Sequence, residues 1–495
     1  MKIIIVGLGQ VGQMLAEYAA AEGHEVVVID RDGELVESVT DRFDVSGICG
    51  SGASRSVLME AGADLADIVV ALTPTDEVNI MICAVAKKCG ACYTAARLYN
   101  NEFFEENAYL KNEFKIDAIV NPKWDTALEI ARQIGLPGTV KAEAFFGNDA
   151  VMLKVGIDRD SFLMGKPLSM IKPHFGVDML VGIVIRDGKV HIPKGDFMLK
   201  EGDSIEIIVP SKHTSQVMMK LGMMRKPVKK VFLVGCGTTG RNLAEMLLKE
   251  KKQVIILEKD KKRCIELSTQ LPTAEIACGD GIDDNVLLEE GIKSADVCVS
   301  ITDSDEKNLV ISLFAWYCGI KSIITKVDSP SIEHLLTKVS MDITVSPDVI
   351  SVEKIKRFIK NITVYNDEGN DINRYYQIAD GRAEAIEFIA YDNFTKKGIQ
   401  LKSKDFTLKK GIVIAAIIRD GEMFIPDGSS DIRPGDHVIV IAAKDNNLNT
   451  INDIISRSFA RPLGQVKQIL KKGKERLNVA CLLYLKNEYF IISES

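Results

Sequence analysis

The chain has 495 residues, enough for about three domains at the usual size of about 150 residues each. Lysine and arginine total 62 against 69 aspartates and glutamates, so the net charge is −7 and a nucleic-acid partner is not expected. The apolar stretches have strand length, and the run at Met1–Val6 is too short for a signal peptide, so we expect a cytoplasmic protein without a membrane span. Ten scattered cysteines fit neither a disulfide scaffold nor a zinc site, and we expect no bound metal.

Strand-like and helical segments alternate from Met1 to Gly135. In chain order they are a strand at Lys2–Val6, a helix at Gln10–Glu22, a strand at Val26–Asp30, a helix at Glu34–Phe43, a strand at Ile68–Leu72, a helix at Asp76–Lys88, a strand at Tyr93–Arg97 and a helix at Lys123–Gln133. Because the strands are apolar on both faces, helices must cover both sides of the sheet. The pattern predicts a doubly wound, Rossmann-like parallel sheet of the α/β class, and the last helix could lead the chain out of it.

Shorter strand-like runs follow at Met179–Arg186, Lys189–Ile192 and Ser204–Val209. Arg-Asp-Gly at 186–188 is typical of a tight turn between two strands. These features predict a small α+β domain.

Both patterns occur twice. The sequence Gly-x-Gly-x-x-Gly at 7–12 recurs at 235–240, and Thr-x-x-Asp-Glu-x-Asn at 73–79 recurs at 302–308. The Arg-Asp-Gly turn recurs at 419–421, and the separation between the copies is nearly constant along the chain. The predicted domains are therefore 1–135 and 227–362 (Rossmann-like), 136–226 and 363–456 (small), and a basic tail at 457–495.

Each Rossmann-like domain carries a glycine loop between a strand and a helix, and an acid ends the next strand at the same spacing from the third glycine in both halves. The glycines permit a tight turn and close approach of the backbone to a pyrophosphate, which the helix N-terminus attracts. Asp30 and Glu258 can accept hydrogen bonds from ribose hydroxyls, which favours NAD over NADP. Arg31 and Lys259 follow these acids and could soften that preference. The sequence predicts a dinucleotide site in each half.

Two further pairs are expected at the carboxyl ends of strands, where ligands bind in such sheets. Thr73 and Thr302 can reach a nucleotide or cap the following helix, a role for which Thr75, Asp76, Ser304 and Asp305 compete. Arg97 and Lys326 can meet phosphate or form a salt bridge to a neighbouring helix.

Catalysis is not expected. None of the six histidines has an obvious acidic partner in the sequence or recurs at matching positions in the two halves. Tyr317 and Lys321 have the spacing of a short-chain dehydrogenase pair, but Gly319 would end the helix between them. Binding without turnover is the preferred interpretation.

Together these residues resemble the tandem regulator of potassium conductance (RCK) domains of the TrkA family, the regulatory subunits of Trk potassium-uptake systems. The similarity runs from residue 1 to about residue 456 and rests on Met1–Gly12, the stretch at 62–67, the repeated Thr-x-x-Asp-Glu-x-Asn motif and the second glycine loop. It implies RCK-N lobes, small RCK-C-like domains, and a cytosolic homo-oligomeric ring on the inner face of the cell membrane. It also implies a membrane potassium-translocating partner, gated through NAD(H) binding, with ATP or ADP as a further ligand at one of the two sites.

The resemblance assigns site residues by position. The first site would comprise Gly7, Leu8, Gly9, Gln10, Val11, Gly12, Asp30, Thr73, Pro74 and Arg97. The second would comprise Gly235, Cys236, Gly237, Thr238, Thr239, Gly240, Glu258, Thr302, Asp303 and Lys326. Lys326 in place of an arginine suggests that the two sites prefer different nucleotides.

Other functions remain open at this point. The residues alone also allow an NAD-dependent oxidoreductase with duplicated domains, or a nucleotide-sensing adaptor of another transporter. Beyond residue 456, seven cations between Arg457 and Arg476 precede an apolar piece at Val479–Leu485. This tail could touch an anionic membrane surface or remain solvated.

Overall fold

A computed structural model of the chain describes residues 1–134, 141–145, 150–159, 161–221, 228–329, 332, 343–365, 372–379, 381–391, 399–403, 406–446 and 448–456. The chain divides into two compact units, one formed by Met1–Gly135 and Val228–Ile359, the other by Leu136–Pro227 and Lys360–Ser495. Domains of the same type are therefore grouped together, although they are separated in the sequence. The basic tail at 457–495 lies outside the described residues.

The first unit contains two parallel six-stranded sheets with the same strand order. The first lobe has β1 (Lys2–Val6), β2 (Glu25–Asp30), β3 (Ser46–Cys49), β4 (Ile68–Ala71), β5 (Tyr93–Arg97) and β6 (Ala118–Val120), in the order β3-β2-β1-β4-β5-β6. Strands of the first small domain come next in the chain, so the numbering of the second lobe resumes at β12. This lobe has β12 (Lys230–Val234), β13 (Gln253–Glu258), β14 (Glu275–Cys278), β15 (Val297–Ser300), β16 (Ser322–Lys326) and β17 (Ile343–Val345), in the order β14-β13-β12-β15-β16-β17. These orders confirm the predicted doubly wound α/β class.

Helices cover both faces of each sheet. The first lobe has α1 (Gln10–Ala21), α2 (Gly33–Phe43), α3 (Arg55–Glu60), α4 (Asp76–Cys89), α5 (Asn101–Glu105), α6 (Asn107–Phe114) and α7 (Pro122–Gln133). Beyond the two helices of the first small domain, the second lobe has α10 (Thr238–Lys249), α11 (Lys261–Gln270), α12 (Asp284–Glu289), α13 (Asp305–Tyr317) and α14 (Pro347–Tyr365). None of the helices in the described parts of the chain is long and apolar enough to cross a membrane.

The two lobes exchange their last helices. Ala127 and Ile130 of α7 are fully buried in the core of the second lobe, beside Leu243 and Leu247 of α10. In return, α14 contacts the first lobe, where Phe358 packs edge-on against Tyr93 with ring centroids 6.3 Å apart. Lys354 of α14 also forms an ion pair with Asp125 of α7 at 2.8 Å. The helix predicted to lead out of the first lobe therefore enters the core of the second.

The second unit contains the two small domains, each built on a five-stranded antiparallel sheet. The first has β7 (Lys141–Phe145), β8 (Ala150–Gly156), β9 (Leu180–Arg186), β10 (Lys189–His191) and β11 (Ser204–Pro210) in the order β10-β9-β11-β8-β7, with α8 (Ile171–Phe175) and α9 (Thr214–Lys220). The second has β18 (Ile372–Ile378), β19 (Ala383–Ile389), β21 (Ile412–Arg419), β22 (Glu422–Phe424) and β24 (His437–Ala443) in the equivalent order β22-β21-β24-β19-β18, beside a separate ribbon of β20 (Ile399–Gln400) and β23 (Asp431–Ile432).

A shared core joins these two small domains. Ile183 and Ile208 of the first domain cluster with Ile439 and Ile441 of the second, and all four are fully buried or nearly so. Arg382 of the second domain also donates a hydrogen bond to the carbonyl oxygen of Gly188 in the first. The duplication seen in the sequence thus produces a pair of packed sheets.

Candidate nucleotide-binding sites

The first glycine loop (Gly7–Gly12) connects β1 to α1 and combines tight packing with an open centre. Gly7 has a φ of +98°, which favours glycine, and a Cβ there would lie 2.8 Å from the carbonyl carbon of Leu72. A Cβ on Gly12 would lie 2.0 Å from the carbonyl oxygen of Gly7, whereas a Cβ on Gly9 would have no heavy atom within 4 Å. The open position lies at the N-terminus of α1, where backbone N–H groups can approach a phosphate.

Asp30 connects the end of β2 to this loop. One carboxylate oxygen accepts a hydrogen bond from the Leu8 backbone N–H at 2.7 Å, and the other accepts one from the Asp32 N–H at 3.1 Å. The Leu8 side chain itself is fully buried, so it is not available for contact with a bound molecule. A carboxylate fixed beside the glycine loop is placed to accept hydrogen bonds from ribose hydroxyls.

The end of β4 is fixed by Asn79, a fully buried residue of α4. Its side-chain oxygen accepts from both the backbone N–H and the hydroxyl of Thr73, at 2.9 and 2.7 Å. Its NH₂ group donates to the carbonyl oxygens of Thr73 and Arg97, at 2.9 and 2.8 Å. The Thr73 hydroxyl proton is therefore directed into the protein. Pro74, the next residue, is exposed.

Arg97, at the end of β5, is 7% exposed and donates to the Leu72 carbonyl oxygen at 2.6 Å. Its guanidinium lies 5.0 Å from the centre of the Tyr99 ring. Burial raises the pKa of Asp348, and the nearby positive charge of Arg97 partly offsets this rise. Arg97 thus lies at the boundary between the lobes, since Asp348 belongs to α14 of the second lobe. The main partner of Arg97 is thus a backbone carbonyl oxygen, and a contact with phosphate stays a prediction.

The second site repeats this arrangement. The Cys236 N–H donates to Glu258 at 2.9 Å, and the Thr302 N–H and hydroxyl donate to the side-chain oxygen of Asn308 at 2.8 and 2.7 Å. A Cβ on Gly240 would lie 2.8 Å from the Gly235 carbonyl oxygen, and one on Gly237 would again meet nothing within 4 Å. Thr238 and Thr239 begin α10 and are half-buried, and Asp303 is exposed.

Three differences distinguish the second site. Lys326 is paired with Asp328 at 2.5 Å, so its charge is directed to an acid rather than to a backbone carbonyl. Ser304 caps α13 by accepting from the Lys307 N–H at 3.3 Å, whereas Thr75 makes no capping hydrogen bond to α4. Arg263 donates from Nε to the Cys236 carbonyl oxygen at 2.5 Å, and the equivalent residue in the first lobe is the uncharged Leu35.

The first acid of the repeated motif has a role that the sequence did not reveal. Asp76 accepts from the backbone N–H groups of Tyr99 and Asn100, and Asp305 accepts from those of Asp328 and Ser329 in the same way. These carboxylates therefore fix the loops that follow β5 and β16.

Both loops lie where the lobes meet. Asn101 donates to Asn242 of α10 at 2.7 Å, and Gln10 donates to the Asp328 carbonyl oxygen at 3.2 Å. The repetition of Thr-x-x-Asp-Glu-x-Asn indicated that the motif has the same role in both halves. Only the folded structure shows that its first acid connects each site to a loop that contacts the other lobe.

The structure corrects the expectation that no histidine has an acidic partner. His437 of β24 does have an acidic partner, because its Nδ1 lies 2.5 Å from a carboxylate oxygen of the buried Glu387 on β19. The two residues are distant in sequence and meet only across the antiparallel sheet. Tyr317 is the last residue of α13, so Lys321 lies beyond the helix, as predicted. Among the described residues, no cluster of histidine, cysteine or acidic side chains could hold a metal ion.

Comparison with known proteins matches the same regions. The TrkA-N domain family matches residues 3–122 and 231–347, and the TrkA-C domain family matches residues 397–456. The Trk system potassium uptake protein TrkA homolog of Archaeoglobus fulgidus is 31% identical over 446 residues, covering 90% of this chain and 98% of that protein. The Trk system potassium uptake protein TrkA of Haemophilus influenzae is 30% identical over 463 residues, covering 92% and 99%.

Solved structures share the fold. The GsuK channel bound to NAD matches with a TM-score of 0.57 at 15% identity, covering 90% of this chain and 77% of that one. The GsuK RCK domain matches with a TM-score of 0.56 at 15% identity, covering 90% and 92%. The repeated fold, the two matched TrkA-N regions and the near-complete overlap with these relatives confirm the predicted resemblance: the chain belongs to the TrkA family of Trk-system potassium uptake proteins.

Proposed function

We propose that this chain is the cytosolic, NAD(H)-binding regulatory subunit of a Trk-type potassium uptake system, peripheral to the membrane and without catalytic turnover. Its relatives carry the name of a potassium uptake protein, and the fold is that of RCK domains. The proposal rests on the geometry that the two glycine loops share. Each has an open central glycine beside a carboxylate held on the loop backbone.

Gating follows if nucleotide occupancy changes the way the lobes meet. A ligand shifts a conformational equilibrium only by the difference between its affinities for the two conformations. The loops fixed by Asp76 and Asp305 run from the site edges to the other lobe, so a nucleotide that moves these edges also acts on the lobe boundary. A membrane potassium-translocating subunit attached to a homo-oligomeric ring would receive this movement.

The two sites are proposed to differ in ligand. The first is assigned to NAD(H). The second has Arg263 next to its glycine loop and Arg241 in the first turn of α10, where the first site has Leu35 and Gln13. Extra positive charge beside a phosphate site favours ligands with more phosphate charge, so ATP or ADP is assigned to the second site.

The test measures nucleotide binding and potassium uptake with the same two variants. Asp30→Ala removes the acceptor for the ribose and for the Leu8 N–H, and Glu258→Ala does the same in the second lobe. Losing a hydrogen bond to a charged group costs about 1.5–3 kcal/mol, so we expect affinity to fall by about tenfold or more. The affinity for NADH should fall in Asp30→Ala, and the affinity for ADP should fall in Glu258→Ala. Cells lacking the protein should recover normal initial rates of potassium uptake with wild type and not with Asp30→Ala.

Asp41→Ala is the matched control, since Asp41 is an exposed acid on α2. It should preserve both affinities and uptake. Unchanged NADH affinity in a folded Asp30→Ala variant would disprove the first site, and normal uptake in cells without the protein would disprove the transport role. Consumption of NADH with a cell-extract substrate would instead support an oxidoreductase.

A further inference from the structure

We propose that Cys264 and Cys278 form an oxidisable thiol pair whose disulfide weakens nucleotide binding at the second site. The two residues lie on α11 and at the end of β14. Disulfide formation does not depend on the function of the protein, whereas its regulatory effect rests on the nucleotide binding proposed above.

The strand alternation places both thiols on the same side of the second sheet. Ile276 of β14 packs in the same core as Leu267 of α11, and Cys278 lies two positions further along the strand, so it points toward the same face. Cys264 lies one turn before Leu267 on the helix that covers this face.

Hydrogen bonds place the Cys264 sulfur next to the end of β14. Cys264 Sγ donates to the Glu258 carbonyl oxygen at 3.3 Å, and the Gly279 backbone N–H, immediately after Cys278, donates to the same oxygen at 3.0 Å. Burial first, and then the hydrogen bond and charge of the Cys278 side chain, raise the pKa of Cys264 to about 12. Cys264 Sγ also lies 4.0 Å from the carbonyl oxygen of Ala277, the residue before Cys278, so the two cysteines are neighbours across the α11–β14 contact.

The first lobe offers an internal comparison. Its position equivalent to Cys278 is Cys49, but the position equivalent to Cys264 is Val36. The thiol pair therefore exists only beside the second site, and valine is a residue that this helix position already accommodates in the same fold.

The oxidant is a low-molecular-weight disulfide. Cys278 is exposed, so its thiolate attacks one sulfur of that disulfide, forming a mixed disulfide and releasing one small thiol, which takes up the Cys278 proton. The Cys264 sulfur then attacks Cys278 Sγ and releases the second small thiol, which takes up the Cys264 proton. Two protein thiols are oxidised and one external disulfide is reduced to two thiols. The raised pKa of Cys264 makes this closing step the slow one.

The bond would act on the site through the first turn of α11. Arg263 holds the Cys236 carbonyl oxygen, and Glu258 holds the Cys236 N–H and the N-cap Asp260. A disulfide fixes the sulfurs at about 2.05 Å, closer than two thiols in contact, and it removes the S–H donor to the Glu258 carbonyl oxygen. Movement of α11 toward β14 therefore displaces Arg263, which holds the glycine loop, and shifts the N-cap Asp260, which Glu258 contacts.

The test uses the full-length chain, reduced or treated with oxidised glutathione. Free thiols are then alkylated, the chain is digested with a protease that cleaves after glutamate, which cuts between the two cysteines at Glu266 and Glu275, and peptides are identified by mass. We expect a peptide pair joined through Cys264 and Cys278 with the loss of two hydrogens, present in wild type and in Cys49→Ser and absent in Cys264→Val. Complete alkylation of both thiols after oxidation would overturn the proposal.

Binding of ADP and NADH, measured in an Asp30→Ala background, tests the regulatory effect. Oxidation should lower affinity at the second site by about fivefold or more, and Cys264→Val should abolish this change. Equal affinities for the oxidised and reduced forms would overturn the regulatory role even if the disulfide forms. Absence of binding in the reduced protein would instead count against the proposed nucleotide function of the site, and the peptide analysis separates these two failures.

Discussion

At the scale of single residues, the glycines of each loop differ in what a side chain would meet. A Cβ on Gly9 points into open space, whereas a Cβ on Gly12 would lie 2.0 Å from the Gly7 carbonyl oxygen. The same loop therefore contains one position that the packing leaves open and one that the fold requires to be glycine.

This contrast gives a matched pair of variants. Gly9→Ala should keep the wild-type melting temperature and lower NADH affinity, because the added methyl group occupies the place that a pyrophosphate approaches. Gly12→Ala should lower the melting temperature, since the loop backbone must move. Thermal unfolding and NADH titration of both proteins check this prediction. A strongly destabilised Gly9→Ala, or an unaffected Gly12→Ala, would contradict it.

The sequence was sufficient to predict that the glycine loops and the acids lie together, because their spacing along one strand–loop–helix–strand unit is local; their role in binding a nucleotide stays a prediction. The roles of Asn79 and Asp76 could not be predicted in this way. Asn79 binds the carbonyl oxygen of Arg97 and Asp76 binds the N–H of Tyr99, so both contacts require the pairing of β4 with β5. Such contacts follow from strand order rather than from the motif.

At the scale of elements, α7 stabilises a lobe to which it does not belong in sequence. Ile130→Ala removes a fully buried side chain from the second core and should lower the free energy of unfolding by about 2–5 kcal/mol. Ile130→Val should cost about 0.5–1.5 kcal/mol. Hydrogen exchange should show the loss of protection in α10 and β12. Loss confined to β1–β6 would show that α7 supports only its own lobe.

The turn between β9 and β10 is held by an acid whose ionisation is favoured in the fold. Asp203 is buried, which opposes ionisation, but hydrogen bonds from Arg186 at 2.8 and 2.7 Å and from the Lys200 N–H outweigh this and lower the pKa of Asp203. A lowered pKa in the folded state means that the stabilisation is complete above the unfolded value of 3.8 and is lost as the pH falls through the folded value.

Stability of the wild-type chain should therefore decrease below about pH 4, and Asp203→Asn should be less stable than wild type at pH 7 with a weaker acid dependence. Urea unfolding at a series of pH values measures this difference. Asp187→Asn, in the exposed turn nearby, is the control and should follow the wild-type curve. An Asp203→Asn curve parallel to wild type at all pH values would disprove the assignment.

Most elements were predictable because their apolar spacing is strong, but their partners were not. The strand β3 was not among the predicted segments. Ser46–Cys49 is short and partly exposed, so it lacks the apolar run that marks a buried strand. The exchange of α7 and α14 leaves no local signal, since an apolar helix face does not specify which core it enters.

At the scale of the whole molecule, the two lobes present different outer surfaces. Trp316 and Tyr317 at the end of α13 are 68% and 79% exposed, whereas the equivalent positions on α4 are Lys87 and Lys88. Large exposed apolar side chains are typical of protein interfaces, and this surface is consistent with the proposed homo-oligomer.

Trp316→Glu should therefore weaken self-association, because a charge replaces an aromatic side chain in the contact. Light scattering should give the wild type a mass that is a multiple of 54.5 kDa and shift the variant toward a single chain. Lys88→Glu, at the exposed position of the first lobe equivalent to Tyr317, should leave the mass unchanged. A monomeric wild type would disprove the ring, and an unchanged variant would exclude this surface from it.

The reciprocal exchange of α7 and α14 explains how the two halves of the chain could diverge in sequence and still pack together. A half-length chain with the same contacts would close with a copy of itself under twofold symmetry, and both of its glycine-loop sites would then be identical by necessity. Joining the halves in one polypeptide keeps the geometry of that symmetric pair. It also allows the residues of one site to change without changing those of the other. Leu35 could then diverge from Arg263, and Val36 from Cys264, within one packed body. Two sites of different chemistry could thus share a single lobe–lobe contact.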